Sequence, residues 1–141
     1  AEAAEGAAGM MDDKLPHLPM YDVELADFVI RQLDQIGAEV SCGAEMPTFQ
    51  NVVSREPLRA ASRNDRLMEL VMVVSVAMEF YRKGRMDAYV CQMAQGVVLA
   101  FHIARIEHID LLDIIAQKRA FNATRADHQI ANRVKEGGKS F

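Results

Sequence analysis

Apolar positions recur with a helical period in four stretches of this chain. Leu25, Phe28, Val29, Leu33 and Ile36 share one side of a helix predicted over 22–36, with Gly37 as its stop. Asn64 or Asp65 can cap a second helix that reaches Lys83, where Gly84 ends it. A third opens at Arg85 or Asp87 and extends to about Glu107. After a break over 108–110, Asp110 serves as N-cap for a fourth helix from Leu111 to around Ala126 or beyond. No stretch alternates with period two between turn residues, so the expected class is all-α, a bundle of four to five helices.

The remaining segments frame these helices. Residues 1–20 read as a flexible leader, turned extended near its end by Pro16 and Pro19, and 21–141 as one α-helical domain. The stretch 41–61 holds Gly43, Pro47 and Pro57 and no sustained period. It is a connecting segment long enough to suggest a lid or a substrate-contacting loop. From Leu70 to Met78 every residue but Ser75 is apolar, and 97–101 is continuously apolar. A bundle helix keeps a solvated face, so helices apolar all round call for enclosure by a second subunit. A homo-oligomer, dimer or tetramer, is the expectation.

Composition narrows the classes. With 26% charged residues and a net charge of −4, the chain does not suit general nucleic-acid binding. Its two cysteines, Cys42 and Cys91, supply neither a disulfide framework nor a zinc site, and point to a reduced, cytoplasmic setting. The longest charge-free run, 88–104, includes Gln92, Gln95 and His102 and falls short of a comfortable bilayer span, so no membrane partner is expected. His102 and Cys91 read as core residues. The acidic series Glu107, Asp110 and Asp113 reads as a cap on a solvated face.

The candidate chemistry lies near the C-terminus. Lys118, Asn122 and Arg125 stand at i, i+4 and i+7, one polar stripe on a helix. Two cations and an amide suit an anionic, hydrogen-bonding ligand such as a polyphosphate. Gly137, Gly138 and Lys139 add unobstructed backbone N–H groups and a third cation.

Two patterns carry a resemblance. SVAMEFYRKG (75–84) is similar to the E-x-x-E-A-x-E-x-x-R-K-G stretch of the all-α nucleoside triphosphate pyrophosphohydrolases of the MazG type. HIDLLDIIAQKRAFNATR (108–125) with the terminal GGKSF resembles that family's G-I-D-L…K…N-x-x-R…G-G-K ending. The resemblance covers roughly 65–141. It implies hydrolysis of an NTP or dNTP to the monophosphate and pyrophosphate, with Mg²⁺ held by carboxylates on two facing helices. It also implies phosphate contacts from Lys118, Asn122, Arg125 and Lys139.

The chain departs from that pattern where the metal would sit. The expected ligand positions hold Val73 and Val76 on the second helix, and Gln92 and Gln95 on the third. Glu79 remains as the catalytic and metal candidate, with Glu69 as a second ligand. Mg²⁺ prefers carboxylate and phosphate oxygen, which valine does not offer and a neutral amide replaces poorly. The expectation is therefore a MazG-like scaffold, Mg²⁺-dependent in active relatives, with impaired or absent turnover. The alternative is a non-catalytic nucleotide-binding or structural helical oligomer, either a natural pseudoenzyme or an engineered variant.

Overall fold

The computed structural model describes residues 10–48, 52 and 61–125, and among these the chain forms four helices and no strand. They are α1 (Met20–Ser41), α2 (Arg63–Arg82), α3 (Met86–Ile106) and α4 (Leu111–Thr124). The all-α expectation holds. α3 is the centre: α1 and α2 both pack on it, α4 packs on α1, and α1 and α2 make no comparable contact with each other. By length and composition α3 would pass for a membrane span. Its central position, with eight buried residues, accounts for the same apolarity.

Several boundaries differ from expectation, each for a local reason. α1 continues through Gly37, where nothing crowds the backbone, and stops at Gly43, whose φ of 107° no L residue readily adopts. The cap of α2 is Ser62 rather than Asn64 or Asp65. Ser62 Oγ accepts from Asp65 N and Asp65 Oδ2 from Ser62 N, both at 3.1 Å, a reciprocal capping box. Gly84, at φ 71°, ends α2 as anticipated. Asp110 caps α4 by accepting from Asp113 N at 3.3 Å, also as anticipated. α4 ends at Thr124, short of Ala126.

The leader is more ordered than its composition suggests. Residues 10–19 fold back through an antiparallel bridge between Met11 and Pro19. Asp12, 4% exposed, accepts from the backbone N–H groups of Lys14 and Leu15, and Leu15 and Leu18 rest on the core. The carboxylate stabilises a local turn, and that turn delivers two leucines to the bundle. Residues 1–9 lie outside the described residues, as does most of the suspected lid. Its described start is tethered, since Glu45 N donates to Asp87 Oδ1 at 2.9 Å.

The core has two centres. Val23, Ala26 and Val29 of α1 meet Leu99, Ala100 and Ile103 of α3 and Leu111 and Ile114 from α4. Near the α2–α3 turn, Ile36, Ala77, Tyr89, Val90 and Met93 form the second. Each large aliphatic side chain so buried contributes about 1.5–3 kcal/mol. Leu33 departs from its expected place and is 45% exposed.

Candidate functional site

α2 and α3 run side by side, and between them lies an open groove of about 380 Å³. α2 contributes Glu69, Met72, Val73 and Val76 to its lining. Gln92, Gln95 and Leu99 come from α3. On α2 the positions 69, 72, 73 and 76 are spaced by three and four, and 92, 95 and 99 repeat that spacing on α3, so each set shares one face. The four positions at which the family resemblance expects carboxylates therefore do meet in one groove.

Its chemistry is apolar with a thin polar edge. Glu69 is the one carboxylate, and Gln92 Nε2 reaches the Val73 carbonyl only at 3.5 Å. A Mg²⁺ site wants several oxygen ligands with compensating negative charge. One carboxylate and two amides do not fit that ion. Among the described residues, no group of three or more His, Cys, Asp or Glu side chains is placed to hold a metal.

Glu79 stands elsewhere. It is absent from the groove lining, and its carboxylate is occupied on its own helix by Arg82 Nη2 at 2.6 Å and Lys83 Nζ at 3.4 Å. The hydrogen bond from Arg82 holds the Glu79 carboxyl below the ordinary glutamate value. Its role as catalytic and metal residue alongside Glu69 finds no geometric partner here. His102 is not part of this groove. It lines a cavity of about 490 Å³ with Leu33, Ile36 and Met46, between α1 and α3.

The phosphate stripe turns inward rather than outward. Lys118 is 4% exposed, with Nζ 4.0 Å from Asp27 Oδ1 on α1. Asp27 also accepts from Arg31 at 2.9 Å. Asn122 Oδ1 is buried without a hydrogen-bond partner. Arg125 has left the helix, with φ −65° and ψ 131°, so the i+7 member of the stripe is not held by helical geometry. Lys118 faces the α1–α4 seam, whereas the groove belongs to α2 and α3; within one chain the two do not meet. Lys139, Gly137, Gly138 and His128 lie outside the described residues.

The most elaborate polar cluster is one the spacing did not announce. Glu107, placed on a solvated face by its acidic neighbours, has a side chain only 5% exposed. It accepts from Tyr21 Oη at 2.8 Å, Arg63 Nε at 2.7 Å and Arg66 Nη2 at 3.1 Å. The Arg63 guanidinium also stacks 4.0 Å over the Tyr21 ring. Burial pushes the Glu107 carboxyl up, but the donors outweigh it and leave it below the ordinary value. Tyr21 is pushed well above its ordinary value, first by burial and then by the hydrogen bond to Glu107. For Cys91, burial leads, helped by Asp87 and Glu45, and raises the thiol, which argues against a reactive thiolate.

No family model, curated protein or solved structure matches the chain.

Proposed function

We propose that this chain is a non-hydrolytic protein on a MazG-type framework, assembled as a homo-oligomer through α2. The observation that carries the reading is the convergence of Val73, Val76, Gln92 and Gln95 with Glu69 on one groove. The resemblance predicts that these four positions share a cleft. Their side chains offer no carboxylate, so the cleft lacks the charge to hold Mg²⁺ and to organise a triphosphate. Carboxylates crowded there would repel one another without a metal, whereas Val and Gln pack without that cost.

Oligomerisation rests on a second observation. α2 buries only Arg66, Leu70 and Ala77, and its outer face exposes Met68, Val71, Met72 and Val76 by 45–64%. A contiguous apolar ridge of this kind on one helix marks a contact surface. Covering it with the same ridge of a second copy satisfies both at once.

The test has two arms. Purified protein, given a panel of NTPs and dNTPs with Mg²⁺, is expected to release no pyrophosphate, and Mg²⁺ titration by calorimetry to give no heat. The variant V73E/V76E/Q92E/Q95D is then expected to acquire Mg²⁺ affinity. Nucleotide cleavage by the unmodified chain, or a quadruple variant that folds yet takes up no Mg²⁺, would remove the basis of the proposal.

A further inference from the structure

Glu107 caps the C-terminal end of α3, and three partners from the two other long helices converge on its carboxylate. Tyr21 is in the first turn of α1; Arg63 and Arg66 are in the first turns of α2. α1 and α2 otherwise hardly touch. They are separated by an apolar groove of about 380 Å³, lined by Tyr21, Leu25, Phe28, Leu67, Leu70 and Val71 among others. Tyr21 thus belongs both to the wall of this groove and to the cluster that closes its end. In the same groove Gln32 Oε1 of α1 is buried with no hydrogen-bond partner.

The two ends of α2 are held differently. Its C-terminal part is seated by Ala77, fully buried, and by an edge-on contact between Tyr81 and Tyr89 with centroids 5.2 Å apart. It then joins α3 through a turn at Gly84, whose left-handed φ is open to glycine and strained for other residues. The N-terminal part has Leu70 in the core with Leu67 and Val73 partly buried against it, Arg66 beside them, and the Glu107 cluster at its first turn. Without the Glu107 charge, two guanidinium groups that are 37% and 9% exposed would lose the carboxylate they share, leaving Asp22 near Arg63 and the Ala61 carbonyl on Arg66. α1 and α2 both pack on α3. α2 has a groove on each flank.

We propose that the Glu107 cluster is a latch that holds the N-terminal half of α2 on the bundle, with the Gly84 turn as the hinge. Releasing it opens the α1–α2 groove. The inference does not depend on the MazG-type reading, because none of the four latch residues lines the α2–α3 groove.

Hydrogen exchange by mass spectrometry on the full chain, at neutral pH and fixed protein concentration, tests it. In Glu107→Gln, amides over 63–75 are expected to exchange more than about tenfold faster than in the parent, while those of α3 and α4 change by less than about twofold. The apolar dye anilinonaphthalene sulfonate is expected to bind the variant more strongly than the parent. Tyr21→Phe, which leaves both arginine contacts in place, should give the same local pattern more weakly. Unchanged protection of α2, or an equal loss across all four helices, overturns the latch. Should Glu107→Gln fail to fold, Arg63→Gln keeps the Glu107–Arg66 pair and carries the same expectation. An α2 as protected in Arg63→Gln as in the parent then overturns it.

Discussion

A carboxylate on the buried arc of α1 is the residue-scale anomaly of this protein. Asp27 stands four residues after Val23 and three before Ile30, both buried, and is itself 9% exposed. Its partners are Arg31, reaching in from solvent, and the buried Lys118. Removing one half of such a pair strands the other charge, whereas replacing both with apolar groups does not. Asp27→Ala is therefore expected to cost about 3–5 kcal/mol in urea unfolding, and the double variant D27L/K118M to be as stable as the parent or more so. Asp27→Ala behaving like a surface substitution would show that Lys118 is not held there. The sequence does not announce it, because Asp27 lies across the helix from the apolar side formed by Leu25, Phe28, Val29, Leu33 and Ile36 and is buried only by packing against α4. Glu107 is hidden in the same way: its neighbours Asp110 and Asp113 are exposed, and only the fold brings Tyr21, Arg63 and Arg66 to it. Its carboxyl is depressed, so its contribution is present above the unfolded value and lost as pH falls through the folded one. Below about pH 4.5 the parent is accordingly expected to lose stability more steeply than Glu107→Gln, measured as urea midpoints across an acid series.

At the scale of the element, the helix ends separate what local chemistry dictates from what it merely permits. Gly84 and Gly37 look alike in sequence, each a glycine following an apolar helical run. Gly84 carries φ 71° and is needed; Gly37 lies inside α1 with nothing within 4 Å of an added Cβ. Gly37→Ala should therefore stabilise the protein by about 0.5–1 kcal/mol, and Gly84→Ala should destabilise it by about 1–2 kcal/mol. Thermal denaturation of the two variants would decide the matter; equal signs would mean that the α1 or α2 boundary is misplaced. The cap of α2 follows the same logic. Asn64 and Asp65 are sound cap residues, but Ser62 with Asp65 three positions later satisfies two backbone donors reciprocally, and a single residue does less.

For the whole molecule, the decisive feature is that α2 is apolar on the outside as well as the inside. Met72 is 64% exposed in the single chain, at the middle of the outer ridge. Met72→Glu places a charge at the centre of the proposed contact, where burial without a partner is costly. Sedimentation equilibrium is expected to give a multiple of the chain mass for the parent and a shift towards one chain mass for the variant. A parent that runs as a single chain would contradict the proposed assembly.

What the sequence determined alone is the helical class, the approximate extent of all four helices, the glycine end of α2 and the Asp110 cap of α4. These depend on residues within a turn or two of one another, so period and capping chemistry suffice. It also determined that positions 73, 76, 92 and 95 carry no carboxylate. Whether those positions share a groove, that Lys118 turns inward to Asp27, and that Glu107 joins three helices were decided only by the tertiary structure. In each case the partner lies tens of residues away, and which face meets which depends on how whole helices pack rather than on any local preference.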